Sequence, residues 1–207
     1  MTADEELYRA WCNGDREAGA QLFERYFTTV LRFFRNKVPD GTEDLVQQTF
    51  LACLESRGRF AARGHFRAFL LGIAKNLLYR RYRAKASDRE TDLGSLSVMQ
   101  LAPGMSTALH ERNEHRLLLD GLRALPLDEQ VVLELYFWER MTAGEIATAL
   151  DEPEGTIRTR IRRAKQRLSK AVPRLARATP NLSREPADLE RWAESVREAW
   201  ADDALGA

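Results

Sequence analysis

The chain has 207 residues, of which 44% are apolar, and its 32 basic and 31 acidic side chains leave a formal net charge of +1. This composition is typical of a globular protein and excludes a disordered chain, which has fewer apolar residues and a larger net charge. The N-terminus is acidic and no apolar run is long enough to span a bilayer. We therefore expect a cytoplasmic protein with no signal peptide and no membrane insertion.

The sequence contains none of the common catalytic or metal-binding motifs. His110 and His115 are five residues apart and fall on different helix faces, and His65 stands alone. Cys12 and Cys53 are the only cysteines, and both are expected to be buried thiols in a reducing compartment. We predict that the protein is not an enzyme and holds no metal and no cofactor.

Apolar residues recur every three to four positions through most of the chain, which predicts an all-α fold. Asp15 is predicted to cap a helix that ends at the turn of residues 38–42. Thr42 is predicted to cap the next helix, whose buried face is expected to include Leu54. A further helix is predicted from about residue 66 to 83.

The second half of the chain begins after a loss of periodicity. Residues 85–105 are rich in Ser, Asp, Gly and small side chains, which predicts a flexible linker. Helical periodicity returns from 106 to 125, and Asp128 is predicted to cap the helix that follows. Thr142 and Glu145 have the spacing of a capping box, so another helix is expected to begin there.

The segment EGTIRTRIRRAKQRL, residues 154–168, carries six basic residues and a single acid at its start. Its apolar residues from Ile157 to Leu168 share one helix face, which predicts the second helix of a helix-turn-helix. The other side combines guanidinium and hydroxyl groups, which suit guanine edges and phosphates. Arg160 is expected nearer the packed side, and Arg167 at a phosphate or in solvent. The predicted DNA-binding residues of this helix are Thr156, Arg158, Thr159, Arg162, Arg163 and Lys165.

A second basic segment, residues 67–85, contains no acid and is interleaved with aromatic residues. This combination suits single-stranded DNA, because bases stack on rings while cations follow the backbone. Phe66 and Phe69 are expected in the core, whereas Tyr79 and Tyr82 are expected to be more open. The basic residues of the segment are Arg67, Lys75, Arg80, Arg81, Arg83 and Lys85.

Two parts of the sequence resemble one protein family. TEDLVQQTFLACLE (42–55) and FRAFLLGIAKNLLYRRYR (66–83) resemble conserved region two of bacterial sigma factors of the extracytoplasmic-function (ECF) group, in the sigma-70 family, and residues 122–172 resemble their region four. The resemblance implies an alternative sigma factor that binds core RNA polymerase, directs it to promoters and promotes strand opening. It implies two small helical domains, with region two at 1–84, the linker at 85–105, region four at 106–175 and an acidic C-terminal extension at 176–207.

The resemblance also implies roles for particular residues. The helix after Pro153 would bind the minus-thirty-five element, and Asn76 would contact an extruded base of the minus-ten element. The implied minus-ten residues are Arg67, Lys75, Asn76, Arg80, Arg81 and Arg83. The implied contacts to the clamp coiled coil of the largest polymerase subunit are Asp44, Leu45, Val46, Gln47, Gln48 and Phe50. The polymerase flap and an anti-sigma factor are further partners common in the family.

Two positions depart from the family pattern, and one other function stays open. Phe69 stands where family members usually have Trp, and Asp151 occupies a turn position often held by Gly, so a reshaped turn is expected there. A stand-alone helix-turn-helix regulator is the alternative function, although it would need a dimer interface or a ligand pocket. The tail beyond residue 180 is predicted to form an acidic amphipathic helix that either covers a surface within the protein or packs on one domain.

Overall fold

The protein is described by a computed structural model that covers residues 3–56, 66–85, 90–103, 113–178, 191 and 193–195. Over these residues the predicted all-α fold is confirmed, and none of the described helices is long and apolar enough to cross a membrane. A short 3-10 turn, Leu93–Ser95, precedes α5. The α-helices are α1 (Ala3–Cys12), α2 (Arg16–Arg35), α3 (Thr42–Glu55), α4 (Phe66–Lys85), α5 (Val98–Leu101), α6 (Asn113–Arg123), α7 (Leu127–Phe137), α8 (Ala143–Leu150) and α9 (Glu154–Ala178).

Of the two helix caps predicted in the N-terminal half of the chain, one is confirmed and one is wrong. The Asp15 cap is confirmed, because its carboxylate accepts hydrogen bonds from the backbone N–H groups of Glu17 (3.0 Å) and Ala18 (3.1 Å). The Thr42 cap is wrong: Thr42 is the first helical residue and Gly41 precedes it, with a left-handed φ of 64°. Glycine reaches this conformation without steric cost, so the turn itself sets the start of α3.

The predicted start of α7 is also wrong. Helix α7 begins at Leu127, one residue before the predicted cap, and Pro126 is at the N-cap position. The Asp128 carboxylate does not cap the helix. It accepts a hydrogen bond from the hydroxyl of Tyr79 in α4 instead. The helix predicted from 106 to 125 is described only from Asn113, and residues 104–112 lie outside the described residues.

The predicted linker has more regular structure than its composition indicates. Ser97 and Gln100 form a capping box at the start of α5. Leu93 and Val98 are buried in the main apolar core. The backbone N–H of Leu127 donates to the carbonyl of Leu96 at 2.8 Å, which ties this segment to α7. Residues 90–103 therefore pack against the helices on both sides of the linker.

The apolar core joins the two predicted domains. One cluster contains buried residues of α1 to α5 together with residues of α7 and α8, and it reaches Ile157 in α9. A second cluster lies between α6, α7 and α9 around Leu168. Helix α4 packs directly on α8. Of the two cysteines, Cys53 is buried as expected, whereas Cys12, the last residue of α1, is exposed, so that expectation was wrong.

A buried ion pair connects the end of α2 to α7. The Lys37 ammonium donates to the Glu134 carboxylate and, at 2.6 Å, to the carbonyl of Phe33. Gln130 donates to the same carboxylate at 2.7 Å. Burial lowers the pKa of Lys37 and raises the pKa of Glu134, while each partner opposes the shift of the other. The pair thus links the segment after α2 to α7, across the two predicted domains.

The described part of the tail packs on the side of α6, α7 and α9. Ala193 is buried in the second cluster, and Glu194 forms an ion pair with Arg140. Trp192 and Trp200, on which the amphipathic prediction depends, lie outside the described residues. Both expectations for the tail, covering a surface within the protein and packing on one domain, are compatible with these contacts.

Candidate DNA and polymerase interfaces

Helices α8 and α9 form the predicted helix-turn-helix, and its first helix begins with the predicted capping box. The Thr142 hydroxyl accepts from the backbone N–H of Glu145, whose carboxylate accepts from the backbone N–H of Thr142 at 2.7 Å. Asp151 ends α8 with a left-handed φ of 55°. Aspartate tolerates this conformation better than most residues. The turn therefore keeps the left-handed backbone that glycine favours, and the reshaping expected there is not seen.

Helix α9 is divided between a packed side and an outward side. Ile157, Ala164 and Leu168 are fully buried, as their spacing predicts. The outward side contains five of the six predicted DNA-binding residues, and all five are exposed: Thr156, Arg158, Thr159, Arg162 and Arg163. Glu154 accepts from the Nε of Arg158 at 2.9 Å, which neutralises part of this side at its N-terminal end.

Lys165 is placed differently from the other five. Its side chain is half-buried, and its Nζ lies 4.2 Å from the centre of the Tyr136 ring and 5.3 Å from that of Phe137. The quadrupoles of the two rings attract the ammonium group and favour this position. The outward direction predicted for this side chain is therefore absent, and a phosphate contact would require a change of rotamer.

The two remaining arginines of the segment have carboxylate partners. Arg160 donates to both oxygens of Glu152 at 2.7 Å and lies 3.7 Å from Asp128, in agreement with the expected position near the packed side. Although burial opposes its charge, these carboxylates raise the pKa of Arg160. Arg167 lies 3.0 Å from the carboxylate of Glu129, and its side chain is 48% exposed, which agrees with the expectation of a solvated position.

Helix α4 exposes part of the predicted minus-ten set. The side chains of Asn76, Arg80 and Arg83 are exposed, and Lys75 is half-buried beside Tyr79, with its Nζ 5.3 Å from the ring centre. Arg80 donates to Gln48 at 3.3 Å. The exposed amide and guanidinium groups form a polar surface on which a nucleic acid could lie.

Other members of that set are bound to protein groups. Arg67 donates to the backbone carbonyl of Glu139 at 2.6 Å and lies 3.4 Å from the carboxylate of Glu145. Arg81 forms an ion pair with Asp40 and donates to its carbonyl at 2.9 Å. In this arrangement the guanidinium groups of Arg67 and Arg81 are bound to oxygen atoms of the protein itself.

The two tyrosines of α4 are less open than expected. Tyr82 is buried, and its hydroxyl donates to the carbonyl of Lys37, while the Tyr79 hydroxyl donates to Asp128. Burial raises the pKa of Tyr82 to about 12, and burial together with Asp128 raises the pKa of Tyr79 further. The expectation that Tyr82 is more open was wrong, because its ring is buried, whereas Tyr79 is half-buried and its hydroxyl is held by Asp128. Phe66, by contrast, is in the core as expected.

Helix α3 divides the predicted polymerase-binding residues into two groups. Leu45 and Val46 are buried and anchor the helix to the core. Asp44 and Gln47 are exposed, and Gln48 donates to Asp44 at 2.7 Å. The carboxylate of Asp44 and the amide of Gln47 are therefore accessible to a partner, whereas Leu45 and Val46 hold the helix in place by packing in the core.

The outer side of α3 also carries apolar residues that the sequence analysis missed. Leu51 is 53% exposed, Leu54 is 50% exposed and Phe27 of α2 is 49% exposed. The expected burial of Leu54 was wrong, because no described helix covers that side of α3. Phe27 stacks on Phe50 with ring centres 6.5 Å apart. The sequence of α3 contains more apolar residues than one buried helix face needs. This excess is the signal that could have identified the exposed leucines.

Two models of one protein family match the chain. Residues 22–87 match the family model for sigma-70 region 2, and residues 115–168 match that for sigma-70 region 4. The chain is 29% identical over 150 residues to the ECF RNA polymerase sigma factor BldN of Streptomyces coelicolor, and the match covers 70% of this chain but 57% of that protein. It is 27% identical over 176 residues to the ECF RNA polymerase sigma-E factor of Escherichia coli, with 79% and 91% covered.

Solved structures share the fold. CnrH, in complex with the cytosolic domain of CnrY, matches with a TM-score of 0.61 and 21% identity over 84% of this chain and 99% of that one. The sigma factor RpoE of Bartonella quintana, in complex with the anti-sigma factor NepR, matches with a TM-score of 0.60 and 22% identity over 74% and 96%. With both sigma regions present in the expected order, the chain belongs to the sigma-70 family, and the relatives that it matches are ECF sigma factors.

Proposed function

We propose that this chain is an alternative sigma factor that binds core RNA polymerase in the cytoplasm, directs it to promoters and promotes strand opening by binding rather than by catalysis. The observation that carries the proposal is the outward side of α9, where exposed arginines and threonines stand opposite an apolar face that is buried in the core. The sigma family of the chain supports the same activity.

The minus-thirty-five element is bound by the outward side of α9. Arg162 and Arg163 are directed away from the core, and arginine can donate two hydrogen bonds to the major-groove edge of guanine. Thr156 and Thr159, near the start of the helix, suit phosphate oxygens or base edges. Arg158 and Lys165 bind the flanking backbone, after they leave Glu154 and the aromatic rings of α7.

The minus-ten element is bound by α4. The exposed amide of Asn76 offers a donor and an acceptor to an extruded base. Lys75, Arg80 and Arg83 neutralise the adjacent phosphates. Arg67 and Arg81 join this set once their present partners release them.

Core polymerase binds the outer side of α3. Asp44, Gln47 and Gln48 supply polar contacts to the clamp coiled coil of the largest subunit. Phe50 extends this surface, together with the three exposed apolar side chains Phe27, Leu51 and Leu54. Burying apolar residues at the centre of a polar rim is typical of stable protein interfaces. Region four contacts the polymerase flap, and an anti-sigma factor is a further partner, as it is for the RpoE relative.

Run-off transcription with core polymerase and a genomic promoter library tests the DNA contacts. Arg162→Ala together with Arg163→Ala should reduce promoter-specific transcripts about tenfold or more, because each bidentate contact contributes about 1–3 kcal/mol of discrimination. Arg174→Ala is the matched control, since this exposed arginine lies on α9 outside the predicted set. Equal losses in the control would contradict a specific role for the pair.

Gel filtration with core polymerase tests the polymerase contact. The pair Asp44→Ala and Gln47→Ala should weaken co-elution while leaving DNA binding intact. Gln21→Ala with Glu24→Ala is the matched control, because these residues are equally exposed on α2. Failure of the unmodified protein to co-elute would favour the stand-alone regulator instead.

A further inference from the structure

Glu154 is the only acidic residue of α9, the helix proposed to bind the minus-thirty-five element. It is also the first residue of that helix, and its side chain is 47% exposed. In a helix-turn-helix, the N-terminal residues of the second helix contact base edges in the major groove. Because phosphates repel a carboxylate, an acid at this position has either a structural role or a hydrogen-bond donor on the DNA.

Two structural roles of Glu154 need no DNA. A carboxylate in the first turn complements the positive end of the helix dipole. The Oε1 of Glu154 also accepts from the Nε of Arg158 at 2.9 Å, and an exposed ion pair of this spacing contributes little to stability. Both roles concern the stability of α9, and neither distinguishes one DNA sequence from another.

The carboxylate of Glu154 lies between the two helices of the motif. On one side, Arg158 donates to Oε1 through two of its nitrogens. On the other side, Oε2 lies beside the first turn of α8, where a Cβ added to Gly144 would stand 3.6 Å from it. From the residues that the structure describes, Oε2 receives no hydrogen bond, so this oxygen remains as an acceptor for a ligand.

DNA binding removes the cation that accompanies Glu154. In the proposed function Arg158 binds the flanking backbone, and it must leave the carboxylate to do so. A charge that loses its partner inside an interface weakens binding unless a donor replaces that partner. Phosphate oxygens are acceptors, so within the duplex the donor has to come from a base edge in the major groove.

Cytosine is the base whose major-groove edge suits a carboxylate best. It presents the N4 amino group as a donor, whereas guanine and thymine present acceptors that would repel the carboxylate. Adenine has the N6 amino group as a donor, but its N7 acceptor lies beside it. A carboxylate should therefore favour cytosine, tolerate adenine and disfavour guanine and thymine.

We propose that Glu154 is a specificity-determining residue, which accepts a hydrogen bond from the amino group of a cytosine in the minus-thirty-five element. The inference rests on the proposed function of α9. Arg162 follows Glu154 by eight positions, which is about 12 Å along a helix at roughly 1.5 Å per residue. At roughly 3.4 Å per base pair, the cytosine lies within about four base pairs of the guanine that Arg162 binds.

Base selection by the full chain with core polymerase tests the proposal. A promoter found by run-off transcription is given a randomised minus-thirty-five region, and the DNA fragments that bind are sequenced. At one position the unmodified protein should favour cytosine about tenfold over guanine and thymine.

Two substitutions of Glu154 should change the preference at that position in different ways. Glu154→Gln should move it to adenine, because an amide offers a donor and an acceptor to N7 and N6. Glu154→Ala should reduce it to within about twofold, and it should strengthen binding to unrelated DNA because the repulsion is gone. Glu17→Ala is the matched control, since this exposed acid is in the first turn of α2. The control should leave every base preference unchanged.

Unchanged base preferences in both Glu154 variants would overturn the proposal and leave only the structural roles. An affinity that rises equally for every sequence would also overturn it, because the carboxylate would then only repel DNA. So would a cytosine farther than about four base pairs from the guanine whose selection Arg162→Ala removes.

The same selection separates this proposal from the proposed function. Sequence selection by the chain alone, with none in the presence of core polymerase, would contradict the proposed function. The Glu154 variants would then be compared on the DNA that the chain binds alone, with the same criteria. No sequence selection in either setting would contradict both.

Discussion

Replacing Lys37 by methionine tests the energetics of the buried ion pair. Methionine keeps an unbranched apolar stem but removes the ammonium, which leaves the carboxylate of Glu134 in the core. Removing one partner of a buried pair lowers the free energy of unfolding by about 3–5 kcal/mol. Gln130 still donates to the carboxylate at 2.7 Å, so we expect a loss near the lower end, about 3 kcal/mol.

The measurement is urea unfolding followed by far-ultraviolet circular dichroism, with linear extrapolation to zero denaturant. The double variant Lys37→Met with Glu134→Leu is the matched control, because it replaces the whole pair by apolar groups. Such replacements are often neutral or stabilising, so we expect the double variant to recover to within about 1 kcal/mol of the unmodified protein.

The pH dependence gives the single variant a distinctive signature. Burial raises the pKa of Glu134 and Lys37 opposes this rise, so the pKa rises further without the lysine. At a pH below the ordinary glutamate pKa of about 4.3, the carboxyl is neutral in both folded and unfolded chains, and the loss should be small. The loss should grow as the pH increases from there toward the raised pKa. A loss below about 1 kcal/mol at neutral pH, or a loss that grows on acidification, would refute the reasoning.

Three further outcomes are expected. Leu168→Ala should lower the free energy of unfolding by about 2–5 kcal/mol, because this fully buried side chain fills the cluster between α6, α7 and α9; a urea titration that shows less than about 1 kcal/mol would contradict the packing. Leu51→Ala with Leu54→Ala should change stability by less than about 0.5 kcal/mol each but weaken binding to core polymerase about tenfold in a titration, and unchanged affinity would remove these residues from the interface. Deleting residues 180–207 should lower the melting temperature, since Ala193 leaves the second cluster; a rise in promoter activity would show instead that the tail restrains the protein.

Local features of this fold could be predicted from the sequence, because their partners are only a few residues away. Asp15 caps α2 through N–H groups two and three residues on, and Thr142 reaches only to Glu145. The division of α9 into an apolar and a basic side follows in the same way from helical spacing. These predictions needed no knowledge of the rest of the molecule.

Features that depend on distant partners could not be predicted. Asp128 has the character of a helix cap, but its carboxylate accepts from Tyr79, which is 49 residues away. Lys37 follows a helix end, where a charged side chain normally meets water, yet it is buried against Glu134, 97 residues on. Leu54 has the correct spacing for burial, but periodicity does not reveal whether another helix covers that side. Tertiary packing decided all three.

The left-handed residues on either side of α8 have a consequence for the autonomy of the helix-turn-helix. Arg140 and Asp151 have φ values of 50° and 55°, a conformation that costs a residue with a Cβ roughly 1–2 kcal/mol. The flanks of α8 thus store backbone strain, which its packing against α4 on one side and α9 on the other must offset. If residues 113–178 were excised as a fragment, the packing of α8 against α4 would be lost while the strain remained. The fragment should sample looser turns than the intact chain, and DNA itself would then have to complete the ordering of the motif that binds it.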